Sequence, residues 1–139
     1  MYKLTKLTGS VPYMAPENYI GKPYGKGVDV FSYAVLLWEM LHQKFAFYHY
    51  DRQDYKMWVV EKNFRPSIDK SVSTRVQELI KEMWDPDPKK RPNFTRISLI
   101  LRAEFQEISA GAGGGDIGLT RSQHLLHASV RSFRARSRK

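Results

Sequence analysis

Few side chains in these 139 residues have the types and spacing that chemistry requires. There is no cysteine, which excludes a disulfide scaffold, a thiol nucleophile and a thiolate zinc site. His124 and His127 stand at i and i+3 and could touch one metal ion. No third ligand is evident near them, so they read as two polar residues on a short amphipathic helix. Gly113-Gly114-Gly115-Asp116-Ile117-Gly118 has the G-x-G-x-x-G spacing of a phosphate-binding turn. Such a turn must follow a strand, whereas the residues before this one end a helix and run through glycine and alanine. It reads as linker. The remaining chemistry lies in charges and hydroxyls, and those depend on the elements that place them.

The formal net charge of +9 suggests a nucleic-acid partner until it is divided along the chain. Residues 1–109 carry 17 Lys and Arg against 13 Asp and Glu, an ordinary mixed surface. Residues 110–139 carry six against one. In this tail Leu119, Leu125, Leu126, Val130 and Phe133 are interspersed with Arg121, Arg131, Arg134, Arg136, Arg138 and Lys139. It reads either as a solvated, disordered extension or as a basic amphipathic helix. Such a helix could make weak contact with an anionic membrane, a calmodulin-like groove or nucleic acid.

The rest is an ordinary folded chain: 42% hydrophobic and 13% aromatic residues argue against disorder. Length suggests one domain with a tail. The longest strongly apolar stretch, Ala34 to Trp38, is far short of the roughly 20 residues of a membrane helix. Met1-Tyr2-Lys3-Leu4-Thr5-Lys6 lacks the apolar core of a signal peptide, so a soluble, cytoplasmic protein is expected. There is no internal repeat of solenoid period.

Four segments carry helical signals. Gly27 to His42 is apolar on nearly every side, with Asp29 and Glu39 its only acids, and predicts a helix in the middle of a protein. Asp51 to Lys62 opens on a candidate Asp cap and places Tyr55, Trp58 and Val59 on one face. Ser73 to Trp84 offers Val76, Leu79, Ile80, Met83 and Trp84 as a stripe, with Ser73 as cap. Pro92 reads as the first residue of a fourth helix, with Phe94, Ile97, Ile100, Leu101, Phe105 and Ile108 as its buried face. Phe64 to Ile68 reads as extended loop and Asp85-Pro86-Asp87-Pro88 as a rigid stop. No alternating run argues for a strand, so the prediction is mainly α.

Gly9-Ser10-Val11-Pro12-Tyr13-Met14-Ala15-Pro16-Glu17 resembles the end of the activation segment of a eukaryotic protein kinase, where a substrate-positioning loop runs into Ala-Pro-Glu. Further landmarks follow in order. Asp29-Val30-Phe31-Ser32-Tyr33-Ala34 with Trp38-Glu39 looks like the family's central helix. Trp84-Asp85-Pro86-Asp87-Pro88 ahead of Lys90-Arg91-Pro92 and Phe94 looks like the junction of its last two helices. The wording is most similar to serine/threonine kinases of the tyrosine-kinase-like group, and it covers about residues 5–108.

The resemblance implies roles. Ser10, Val11, Pro12 and Tyr13 would form the substrate-positioning loop, with the Ser10 hydroxyl seating the phosphate acceptor against the catalytic aspartate. Pro12 departs from the Arg or polar residue often found there, which leaves substrate preference open. Glu17 would pair with Arg91 across 74 positions. Asp29 would accept hydrogen bonds from the catalytic loop, or else simply cap its helix. Thr5 and Thr8 lie where activating phosphorylation often falls in the family, although exposed loop hydroxyls are common without it.

A kinase also needs a glycine-rich cover, a Lys–Glu pair, His-Arg-Asp with its Asn, and Asp-Phe-Gly. None of these strings occurs here. The implied architecture is a helical subdomain corresponding to the C-terminal half of a kinase large lobe, N-terminally truncated. Residues 1–109 would be the partial kinase domain and 110–139 a Gly-rich linker and basic tail. This chain would have no catalytic residue and bind no cofactor, ATP and Mg2+ being implied for an intact parent. Its partners would be protein substrates and the missing kinase portion. The alternatives are a non-catalytic docking or scaffold module, through Tyr48, Tyr50 and Trp58 beside the Asp51–Lys62 helix, and a basic-tail adaptor.

Overall fold

The computed structural model describes residues 11–111. Ser10, Thr5, Thr8, the two tail histidines, the glycine run from 113 and the basic tail lie outside the described residues. Among the described residues every regular element is helical. A 3-10 turn at Val11–Tyr13 leads into a short helix α1 (Pro16–Tyr19), whose start carries a proline in the first turn. Helix α2 (Gly27–His42) follows with the predicted bounds. It ends at Gln43, which takes the left-handed conformation (φ 51°) that stops a helix.

The third predicted helix begins as expected and then changes its winding. Asp51 caps α3 (Arg52–Asp54), its Oδ1 accepting from the Gln53 and Asp54 amides at 2.7 and 2.8 Å. From Tyr55 to Glu61 the chain continues as a π-helix, with bonds spanning five residues. Each residue then turns by less than the roughly 100° of an α-helix. Trp58, three positions on, therefore swings away from the core and is 37% exposed, while Tyr55 and Val59 are fully buried. This corrects the expectation that Trp58 shares their face.

Helix α4 (Thr74–Met83) is capped by Ser73 and buries Val76, Leu79, Ile80 and Met83, as its stripe predicts. The last helix, α5, spans Phe94–Gly111. Pro92 is not its first residue: Asn93 caps it, its side chain accepting from the Arg96 amide at 2.9 Å. The helix runs on through Ser109 and Ala110 into the small-residue run.

The core lies between α2, α4 and the π segment, around Phe31, Val35, Phe47, Tyr55, Leu79, Ile80, Met83 and Ile97. Two faces expected inside are open. Leu36 and Met40 of α2 are exposed, and on α5 only Ile97 is fully buried while Phe94 and Phe105 face outward. Together Tyr33, Phe94, Leu101 and Phe105 line a shallow apolar groove between the two helices.

Candidate functional site

The segment Val11–Glu17 is anchored by side chains from α2, the π segment and the loop before α5. Its final acid is half of an ion pair with Arg91, in the loop before α5. Arg91 Nη1 and Nη2 donate to Glu17 Oε1 and Oε2 at 2.6 and 2.9 Å, a two-pronged fit between a planar fork and a carboxylate. Both residues are buried. Two further guanidinium donors are used as well. Nε donates to the Asp85 carbonyl at 2.9 Å, and Nη1 also to the Gly27 carbonyl at 2.9 Å. The approach at Gly27 is close: a Cβ there would stand 3.3 Å from the Pro88 carbonyl oxygen, a tight contact that would push that neighbour by a few tenths of an ångström.

Arg91 also lies 5.2 Å from the centre of the Phe31 ring, and Arg65 lies 4.9 Å from the same ring. Arg65 donates to the carbonyls of Trp84, Val59 and Phe64 at 3.1, 3.0 and 2.7 Å. Burial lowers its proton affinity to about 10, so it stays charged at neutral pH. Sequence reasoning did not single out Arg65. The Arg-Pro pair in a loop between two helices was visible, but carbonyl partners carry no sequence signal.

Further up the segment, α2 supplies two anchors. Ser32 Oγ donates to the Tyr13 carbonyl at 2.7 Å. The Tyr13 hydroxyl donates to Glu39 Oε2 at 2.7 Å, while Glu39 Oε1 accepts from the Ala46 amide at 2.9 Å. Glu39 thus ties the 11–13 turn to the loop after α2. Its bond to the Tyr13 hydroxyl and the partial burial of that group both raise the phenol's pKa. The signal was present, a lone acid inside an apolar helix. A third anchor, the Tyr55 hydroxyl, reaches the Met14 carbonyl from the π segment at 2.7 Å.

Of the residues singled out from the sequence, Val11, Pro12 and Tyr13 form the turn, Glu17 and Arg91 meet, and Ser10 lies outside the described residues. Asp29 stands apart. It is exposed, it caps nothing, since the α2 start at Lys26 has no side-chain cap, and it has no hydrogen-bond partner among the described residues. Trp38 is core, its ring stacked 4.2 Å from His42 and its Nε1 donating to the Ser67 carbonyl at 3.0 Å. His42 Nε2 accepts the Asp69 amide at 2.9 Å, which fastens the loop ahead of α4 to the end of α2.

No group of three His, Asp or Glu side chains able to hold a metal ion occurs among the described residues. Nor does any described helix have the length and apolarity to cross a membrane.

The protein kinase domain family matches residues 1–101. The chain is 37% identical over 105 residues to the serine/threonine-protein kinase STY17 of Arabidopsis thaliana, covering 76% of this chain and 18% of that protein. It is 33% identical over 134 residues to STY46 of the same plant, covering 89% and 23%. To the dual specificity protein kinase shkB of Dictyostelium discoideum it is 40% identical over 99 residues, covering 69% and 15%. The chain thus spans about a fifth of the length of the relatives it matches.

Proposed function

The chain belongs to the protein kinase family, and from that premise we propose that it is the substrate-positioning and structural part of a serine/threonine kinase. The reaction of the whole would transfer the ATP γ-phosphate to a protein hydroxyl. The turn 11–13, with Ser10 ahead of it, meets the acceptor chain. Glu17 and Arg91 lock that turn to the loop before α5. Asp29 offers its free carboxylate to the backbone of the catalytic loop, and ATP and Mg2+ are held by kinase segments other than these residues. The open apolar faces of α2 and α5 are where those segments seat. One observation carries this reading most of all: the buried Glu17–Arg91 fork, which closes the 11–17 segment onto the loop before α5.

The test is phosphate transfer from ATP to a Ser/Thr peptide library. It is run with the 139-residue chain and with the cellular polypeptide that carries it, whose intact mass is measured first. The expected result is no transfer by the short chain and transfer by a polypeptide long enough to include an ATP site. ATP binding by the short chain alone, or a long polypeptide without transfer, would overturn the proposal. A cytoplasmic location follows from the same reading.

A second reading, a protein-docking module, is favoured by the aromatic surface around the π segment. Tyr48 is 73% and Phe45 65% exposed, and their rings stack at 5.9 Å. On the π segment itself, Trp58 meets Phe64 edge-on at 6.4 Å and carries Lys62 Nζ 4.1 Å over its ring. Partner capture that survives deletion of residues 110–139 and is lost on Trp58→Ala would favour this reading. Capture lost on the deletion, and falling steeply with salt, would move the partner to the basic tail.

A further inference from the structure

We infer that Tyr55 is a positioning residue of the substrate loop: its hydroxyl, carried on the π-helix, fixes the backbone of residues 12–14 in the shape that receives the acceptor chain. The inference rests on the kinase reading above for what the loop does, and on geometry for how it is held.

A buried phenol must find a partner for its hydroxyl, and the nearest candidates are usually local. Tyr55 has no exposed surface, yet its hydroxyl reaches 41 positions back to the Met14 carbonyl at 2.7 Å, with the Pro12 carbonyl at the outer limit of 3.5 Å. The ring cannot turn away. Phe47 meets it edge-on at 5.4 Å and Tyr19 lies 5.7 Å off. Tyr19 in turn donates to the Arg52 carbonyl at 2.7 Å, so α1 is tied to the start of the same segment.

The loop is therefore clamped from two sides. Helix α2 holds Tyr13 through Ser32 and Glu39, and the π segment holds Met14 through Tyr55. The α2 side belongs to the central core. The π side belongs to a segment whose outer surface, Met57 and Trp58, is exposed. π-helical turns recur at functional sites, and here the wide winding directs Tyr55 and Val59 inward while leaving that outer face free. Burial raises the pKa of the Tyr55 phenol well above its usual range, so the group is a donor at every physiological pH. Tyr55 touches no reacting atom, and its effect passes through the Pro12–Met14 backbone.

Tyr55→Phe removes only the hydroxyl. In the 139-residue chain the Met14 amide, which donates to the Val11 carbonyl at 3.1 Å, should exchange about tenfold faster once the Met14 carbonyl loses its anchor and the turn loosens. The amides of Phe31–Leu41 should keep their wild-type rates. Tyr19→Phe, which removes a different hydroxyl, should leave Met14 unchanged. Three results would overturn the inference: unchanged exchange at Met14, the same acceleration throughout α2, or no protection of Met14 in the wild-type chain. In the longer polypeptide with transferase activity, Tyr55→Phe should raise KM for the peptide about fivefold and leave KM for ATP unchanged. Equal changes in both would also overturn it. A wild-type polypeptide without transferase activity would instead remove the kinase reading, and the exchange measurement would still decide the anchoring.

Discussion

Glu17 and Asp29 are both acids in the first turn of a helix, and they have opposite fates. Glu17 is enclosed, with both oxygens taken by one guanidinium that itself spends donors on two carbonyls. Asp29, twelve positions later, is exposed and unpartnered among the described residues. A network complete within the chain behaves as structure. On the proposed reading, the bare Asp29 carboxylate is a socket for something outside. The same division runs down α2: Phe31, Ala34 and Val35 are sealed in, while Leu36 and Met40 on the other side are not.

The sharpest way to break this contrast is Arg91→Ala. It leaves Glu17 buried without its cation and should cost ~3–5 kcal/mol in denaturant unfolding. A loss no greater than that of an Asp29 variant would erase the distinction.

Alkaline pH should strike the enclosed side next. Burial raises the pKa of Tyr55 and Tyr33, burial with Asp54 that of Tyr50, and the Glu39 bond with burial that of Tyr13. A folded-state pKa above the unfolded value of about 10 gives a contribution present below pH 10 and lost as pH climbs past it. Arg65 acts the other way. Lowered to about 10 from 12.5 chiefly by desolvation, it binds fewer protons folded than unfolded in that window and favours the fold as pH rises. Four tyrosines against one arginine predict net loss, followed as phenolate absorbance that rises together with unfolding. Tyr55→Phe should blunt it.

A smaller effect belongs to the helix cap beside the π segment. Asp51→Ala removes the acceptor for the Gln53 and Asp54 amides and should lower stability by about 1 kcal/mol, read as a shift in the unfolding midpoint. The smallest is Asp29→Asn, expected to stay within about 0.5 kcal/mol in the 139-residue chain. In the transferase-active polypeptide the same change should lower kcat, and that split would sharpen the reading of Asp29 as a socket.

Periodicity made α2 and α4 legible in the sequence, because burial follows the 3.6-residue repeat wherever the partner surface lies within the chain. It misled on part of α5: Phe94 and Phe105 fit an apolar stripe, but burial depends on what covers the stripe, and the described residues cover these two only in part. Glu17 and Arg91, 74 positions apart, were legible through resemblance and not through spacing. Ser32, Tyr55 and Arg65 escaped because their partners are backbone carbonyls, which every residue carries and no sequence displays.

The π-helix bears on the length a segment can have, not only on its composition. Its turns hold one residue more than an α-helix would, so the stretch Tyr55–Glu61 is in effect an insertion absorbed by winding. Deleting a single residue there, such as exposed Lys56, would let the stretch relax to ordinary α winding while the segments on either side keep their phase. Arg65 would still meet the carbonyls of Val59 and Trp84, and Phe31 would keep both cations over its ring. The same deletion inside the regular α2 or α4 would rotate everything after it by about 100°.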